Sequence, residues 1–433
     1  MTRYPTYVKD RRMKVLTVSC AVYIIICFMF IVADVSVDAY ACSVKKARQR
    51  KEVVHDMNRD LLEKSVEDEG SEYKRVQDAV TASLLPSSEY EDVTWVTQGT
   101  VNHLRRAAIL ADAWKGPLSI AFFLWTGKDV APTIKAIECL RASHPLVKQY
   151  ATFSFSFHRY IQEEESDWKY WNGSCDAIDE ALERLTSRRE NFMETRVPYP
   201  VGLMRNVARK SSRTHFFTIC DMDITPSLGL RTDFLQMLTR EGLLNEEKSL
   251  YVMPVFEVQI GVSMPSGKEE LKTLVQKGTA RQFYISLTPT AQGPTDYARW
   301  FNLPPSKEMR PAYEVEWSFF YEPFFILSSS APYYYEGFKE YSYERGSFAC
   351  ELKARGWKFF VLNNAFVLHD GFKLTNMFEF FLNKKVRKEL AKTAINHRLY
   401  RAELIAKIGS QAKKCSSLSY RTLEVLLVLA GHL

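Results

Sequence analysis

Between residues 93 and 221 the chain alternates short apolar runs with segments of helical period, and this alternation constrains the fold more than any other feature. "PLSIAFFLW" (117–125) carries no charge over its whole length, as expected of a strand covered on both faces rather than one. "VTWVTQ", starting at Val93, and "YATFSFSFHRY" (150–160) read as further strands. Between them, "VNHLRRAAILADAW" puts Leu104, Ala108, Ala111 and Trp114 on one side of a helix. "APTIKAIECLRASHP" reads as a helix ended by proline, and "VGLMRNVARKS" as a helix ahead of the strand "HFFTIC". Strands joined through helices predict an α/β fold, a mostly parallel sheet flanked by helices. Such sheets bind their ligands at the carboxyl ends of the strands.

One such end is chemically loaded. "HFFTIC" runs directly into Asp221 and Asp223, separated by Met222. In extended chain these two side chains point to the same side, where like charges repel and each resists burial. A divalent cation relieves that cost, and Mg²⁺-type sites commonly take one or two carboxylates plus substrate phosphates. A polar turn closed by Pro226 is the plain alternative. "DMDIT" also fits the DxDxT opening of haloacid-dehalogenase-like phosphohydrolases, but that motif normally opens its domain, and no later GDxxxD follows here. Far downstream, "FFVLNNAFVLHDGFK" (359–373) supplies His369, Gly371 and Lys373. An imidazole beside two carboxylates shifts the preference toward Mn²⁺. Gly371 would let backbone approach a phosphate, and Lys373 would set a positive charge on it. A strand-end histidine in a turn is the bland alternative for His369.

The N-terminus carries a second kind of signal. Val15 to Ala33 is uncharged, and nineteen helical residues rise about 28 Å, close to the hydrocarbon thickness of a bilayer. Arg3, Lys9, Arg11, Arg12 and Lys14 precede it, which keeps the N-terminus cytoplasmic and sends the rest into the secretory lumen. Ala39-Tyr40-Ala41 resembles a signal-peptidase site, but the apolar run exceeds a signal core of roughly 7–15 residues, so an uncleaved signal-anchor is expected. "NGS" at Asn172 is an N-glycosylation pattern suited to that compartment. Outside the anchor, Cys42, Cys139, Cys175, Cys220, Cys350 and Cys415 have the chance to pair in an oxidising lumen, with connectivity left open by their spacing. The net charge of +7 is small for 433 residues and scattered, which argues against nucleic acid as a partner. The expected organisation is a cytoplasmic tail (1–14), the anchor (15–33), a charged stem contributing little to the core (34–90), a catalytic domain (91–409) and a C-terminal tail (410–433).

Several ordered blocks together carry a family resemblance: "WKGPLSIAFFLW", "YPVGLMRNVAR", "CDMDITPSLGL", "VMPVFEVQ", "YEPFFIL", "ACELKARGWKFFVLNNAFVLHDGFK" and "NHRLYRAEL". From about Val93 to about Ile408 the chain resembles the glycosyltransferases of the beta-1,4-glucuronyltransferase type, related to the second catalytic domain of LARGE-type enzymes. The resemblance implies a GT-A fold, a UDP-sugar donor (UDP-glucuronic acid first), Mn²⁺, a glycan or glycoprotein acceptor, and a type II Golgi membrane protein. A homodimer is compatible with it. Asp221 and Asp223 match the family's DxD metal motif, His369 its late metal-binding histidine, and Lys373 its diphosphate-side lysine. Arg205 and Arg209 match the basic helix before the DxD strand and, four apart, share a helix face. Thr97 and Gln98 end the first strand, where such folds hold the uridine. The implied chemistry is inverting, so a carboxylate must accept the acceptor's proton, with Glu351 and then Glu257 as candidates. Glu344 stands where close relatives are expected to have Asn, and His369-Asp370-Gly371 replaces a more basic version, which leaves the sugar specificity open. Transfer of GlcNAc from UDP-GlcNAc on the same fold and a non-catalytic binding relative are the two competing expectations.

Overall fold

A computed structural model of the chain describes residues 65–67, 71–85, 92–125, 127–160, 174–187, 198–318, 320–339, 344–373 and 384–415. Contacts separate Met1–Asp60 from Leu61–Leu433, and every described residue lies in the second unit. The anchor at 15–33, Asn172 and residues 416–433 lie outside the described residues. Among the described residues no helix is long and apolar enough to cross a membrane.

The strands are β1 (Val66–Glu67), β2 (Tyr73–Val80), β3 (Val93–Thr100), β4 (Leu118–Leu124), β5 (Ala151–His158), β6 (Phe216–Asp221), β7 (Ile224–Pro226), β8 (Ser249–Met253), β9 (Val255–Val258), β10 (Ala280–Gln282), β11 (Pro311–Val315), β12 (Phe324–Ser328), β13 (Lys358–Leu362) and β14 (Val367–Asp370). The helices are α1 (Arg106–Trp114), α2 (Val130–Ser143), α3 (Pro145–Tyr150), α4 (Cys175–Ser187), α5 (Val201–Lys210), α6 (Leu230–Arg240), α7 (Lys268–Gln276), α8 (Tyr297–Phe301), α9 (Glu344–Ala354) and α10 (Lys384–Ile408). One large sheet has the order β1-β2-β5-β4-β3-β6-β12-β8-β13-β11, and a small one the order β10-β9-β14-β7.

The apolar runs become the centre of the large sheet because both of their faces are covered. In β6, Phe216 and Cys220 enter a core shared with α1, α2 and α6, while Phe217 and Ile219 enter a second core shared with α5 and α9. Both faces being covered, no position along the strand meets solvent until its end at Asp221; the one polar side chain before it, Thr218, is buried against Cys220. The run β5-β4-β3-β6 is parallel, as the helical crossovers require.

Three expectations are corrected. The sheet is mixed rather than mostly parallel: β12 enters antiparallel between β6 and β8, and β2 and β11 are antiparallel to their neighbours. A buried apolar run such as Phe324–Leu327 looks the same in either direction, and β12 arrives by a long excursion rather than a helical crossover. The stem also ends earlier than residue 90. β2 pairs with β5 and buries Tyr73, Val76 and Val80, while the irregular register between Val76 and Val80, with Asp78 at φ +50°, masks the strand's alternation in the sequence. At the other end, Cys350–Cys415 ties the segment after 409 to α9, so the domain reaches at least Cys415. Cys139–Cys175 joins α2 to α4. Cys220 is a free thiol that burial pushes up to about 12, an inert core residue.

Candidate active site

β6 ends at Asp221, β7 begins at Ile224, and the turn between them carries Met222 and Asp223. Met222 is buried in the core, whereas both aspartates keep part of their carboxyl surface exposed, 39% of each side chain. The two carboxylates have different surroundings. Asp221 lies beside Gln98 in the parallel β3–β6 register, and the Gln98 amide donates to its Oδ1 at 3.2 Å. The Tyr199 hydroxyl donates to Gln98 Oε1, which fixes the amide so that its NH₂ faces the carboxylate. Two guanidiniums complete the grip: Arg205 from α5 at 3.1 Å and Arg345 from the first turn of α9 at 2.5 Å. Glu344 pairs with Arg205 at 3.0 Å. Burial works against ionisation of Asp221, but Arg345 and then Arg205 outweigh it and hold the carboxyl below its usual range.

Asp223 faces the small sheet. β14 runs antiparallel to β7 with His369 opposite Ile224, which brings the imidazole to the residue just before β7. His369 Nε2 lies 3.0 Å from Asp223 Oδ2, and Lys373 Nζ lies 3.8 Å from the same oxygen. Burial again opposes ionisation, and the hydrogen bond and charge of His369, then Lys373 and Arg106, overcome it and hold Asp223 well below the usual carboxylate range. His369 Nδ1 sits 2.7 Å from the Gly371 carbonyl. An oxygen acceptor there requires Nδ1–H, so Nε2 donates to Asp223 only in the protonated ring, and in the neutral ring it is the nitrogen left to hold a cation. Gly371 has φ +91° and donates its own N–H to Val258. That left-handed turn points its carbonyl back at the ring, a conformation that suits glycine.

The other expected site residues have different places. Thr97 and Gln98 do not end β3, which continues to Thr100. Being consecutive, they point to opposite faces: Gln98 reaches Asp221, and Thr97 is fully buried on the other side. Arg209 does share the buried face of α5 with Arg205, yet it donates to the carbonyls of Ser329, Ala331 and Pro332 and lies between the rings of Phe217 and Tyr333. It braces that loop rather than the aspartate pair. Glu257 is fully buried in β9; its carboxylate accepts from Arg281, from Tyr284 N–H and from Lys373 N–H, so it anchors the backbone beside His369. Glu351 lies in the second half of α9, buried, bound by Arg355 at 2.7 Å and by the Tyr400 hydroxyl at 3.3 Å. Both carboxylates have structural partners, which removes the reason for choosing either as the free base.

The sequence reading passed over Arg345, Tyr199, Arg106, His103 and Glu322. Arg106 donates to Met222 O and pairs with Asp370 at 2.9 Å. His103, in the short 3-10 turn Val101–His103 that follows β3, is held below its ordinary value chiefly by burial, with Asp223 pulling the other way. Only Arg345 had a local signal, as a cation in "YERGS" beside the unexpected Glu344. Among the described residues no three histidine, cysteine or acidic side chains converge closely enough to hold a metal ion; Asp223 and His369 meet, while Asp221 is held by arginines.

The family model described as "Glycosyl-transferase for dystroglycan" matches residues 92–408. The chain belongs to that family and is a glycosyltransferase. It is 33% identical over 329 residues to Beta-1,4-glucuronyltransferase 1 of Danio rerio, covering 74% of each chain. Against Beta-1,4-glucuronyltransferase 1 of Homo sapiens the identity is 30% over 362 residues, 82% of this chain and 84% of the relative. Xylosyl- and glucuronyltransferase LARGE1 of Gallus gallus is 25% identical over 285 residues, 66% of this chain and 32% of that protein. Among solved structures, S. aureus TarS 1–349 gives a TM-score of 0.35 at 12% identity, covering 78% of this chain and 79% of that one.

Proposed function

We propose that the chain transfers glucuronic acid from UDP-glucuronic acid to a glycan acceptor, on a GT-A fold, with Mn²⁺ as its metal. The observation that carries the reading is the meeting of Asp223 and His369, with Lys373 beside them, at the carboxyl end of the central strand. Membership of a glycosyltransferase family and two relatives named for glucuronyl transfer support the choice of sugar.

The donor set suits a borderline ion such as Mn²⁺. Asp223 supplies oxygen, and His369 supplies a nitrogen whose tautomer is fixed by Gly371. Asp223 and His369 would hold the ion, with Asp221 beside them. When bound, it would neutralise charge on the diphosphate. Lys373 adds a fixed positive charge on that side, and Glu257 sets its backbone. Arg345 and Arg205 keep Asp221 ionised and immobile, so the site needs little reorganisation when a donor arrives. The disulfides Cys139–Cys175 and Cys350–Cys415 suit an oxidising lumen. With the apolar run at 15–33 and the acceptor pattern at Asn172, they favour a type II Golgi membrane protein with its catalytic domain in the lumen.

The test is a panel of UDP-sugars incubated with the protein, with Mn²⁺ and with chelator, reading UDP release and transfer to aryl glycosides. Turnover of UDP-glucuronic acid above the other donors, lost in chelator, is expected. Preference for UDP-GlcNAc, or equal turnover in chelator, would overturn the reading of donor or metal respectively.

A further inference from the structure

An inverting transfer needs a carboxylate that is close to the aspartate pair, fixed in place and not already engaged. Five acidic residues in and around the site fail the last requirement. Asp221 is held by two arginines, Asp223 by His369, Glu344 by Arg205, Glu257 by Arg281 and Glu351 by Arg355. Glu322 meets it. Among the described residues its carboxylate has neither an ion pair nor a side-chain hydrogen bond.

Its position follows from the sheet. β12 runs antiparallel to β6 with Ile326 opposite Thr218 and Ser328 opposite Phe216. Continuing that register back from Ile326 carries the chain toward the end of β6 that bears Asp221. The backbone of Glu322 is pinned on both sides: its N–H donates to Ala291 O at 2.9 Å, and its carbonyl accepts from the buried Gln292 amide at 2.7 Å. Tyr321, fully buried, fixes the residue before it. The carboxylate lies beside the first turn of α9, where Gly346 faces it; a methyl group at Gly346 would come 3.6 Å from its Cγ and 3.7 Å from its Oε1.

We propose that Glu322 is the general base, resting on the glycosyltransferase reading of this site. The acceptor hydroxyl gives its proton to the Glu322 carboxylate as its oxygen bonds to C1 of the donor sugar. The bond from C1 to the phosphate oxygen breaks, and UDP leaves with the electron pair. The electrostatic surroundings agree with the task. Burial, then Glu344, push Glu322 up, Arg345 and Arg205 pull it down, and Asp221 pushes it up again, leaving it at about 7. A base poised near the working pH transfers protons most effectively.

The experiment compares the full chain with Glu322→Gln and Glu322→Asp. It measures UDP affinity by calorimetry with Mn²⁺, and UDP release from UDP-glucuronic acid with aryl glycosides or water as acceptor. Glu322→Gln should bind UDP within about threefold of wild type yet turn over roughly 10²–10⁴ times more slowly. Glu322→Asp keeps the charge but retracts it by one methylene, and should show a lowered kcat with unchanged KM for the donor. Wild-type turnover should fall with decreasing pH below about 7, the value to which its surroundings push the Glu322 carboxyl. Near wild-type turnover of Glu322→Gln overturns the proposal, as does loss of UDP affinity in step with rate. If the amide variant does not fold, a wild-type kcat in Glu322→Asp overturns it. Wild-type protein that turns over no UDP-sugar overturns the functional reading and this proposal with it, whereas an active wild type with an active Glu322→Gln removes this proposal alone.

Discussion

Replacing Glu257 by alanine is the sharpest probe of how the site is supported. The carboxylate is fully buried and binds three groups: the Arg281 guanidinium at 2.7 Å, Tyr284 N–H at 2.9 Å and Lys373 N–H at 3.1 Å. Removing one partner of a buried ion pair costs about 3–5 kcal/mol, because the remaining charge stays uncompensated. Arg281 is 26% exposed and can recover some hydration, which favours the lower half of that range. The two N–H groups lose their acceptor as well, which adds to the cost. Against a total stability of about 5–15 kcal/mol for a native protein, the loss should move the urea midpoint far downward. Glu257→Gln should be milder, about 1–3 kcal/mol, since its oxygen still accepts from one N–H while its NH₂ confronts Arg281. The assay is urea unfolding followed by tryptophan fluorescence, beside UDP calorimetry. Glu257→Ala within about 0.5 kcal/mol of wild type would refute the structural role. An equally stable Glu257→Gln that binds UDP but transfers no sugar would restore Glu257 as the base.

Three further outcomes are expected. Asp223→Asn should abolish transfer without unfolding, and His369→Ala should weaken Mn²⁺-dependent UDP binding, whereas Lys373→Ala should keep binding and lose on the order of 10²–10³ in rate; calorimetry beside turnover separates the three. A chain beginning at residue 91 should unfold or aggregate while one beginning at 65 stays folded, because β2 buries Tyr73, Val76 and Val80, worth at most roughly 5–8 kcal/mol together; equal melting of the two would return β2 to the stem. Because Asp223 titrates below its unfolded value of about 3.9, its contribution is full above that value and is lost as pH falls from there toward its lower folded value. Wild type should therefore lose more stability than Asp223→Asn between pH 7 and 3, read from urea midpoints at each pH.

The residues that later meet in space were partly legible because their chemistry is unusual where they stand. Two aspartates at the end of an apolar strand, and a histidine, glycine and lysine within five residues of each other, need a reason that packing does not supply. What the sequence did not reveal was which acidic group stays free. Glu257, Glu322, Glu344 and Glu351 all follow or open apolar stretches and differ in the chain only by their neighbours. Their fates diverge through Arg281, Arg205 and Arg355, of which only Arg355 is close in sequence to the carboxylate it binds. The same holds for Arg205 and Arg209: one helix face carries both, and only the loop at 329–332 decides that Arg209 supports backbone carbonyls.

The sequence by itself determined the local periods: which runs are strands, which are helices, and where the strand carrying the carboxylates stops. Those depend on neighbours a few residues apart, and on burial that alternation or its absence records directly. Tertiary structure alone decided that β12 enters antiparallel beside β6, that β2 joins the sheet beside β5, and that Arg345 reaches Asp221 across 124 positions of chain. Strand direction and ion pairing are settled by which surfaces meet after the chain collapses. A buried apolar run has the same composition in either direction, and a charge gains its partner only when desolvation makes an unpaired one costly.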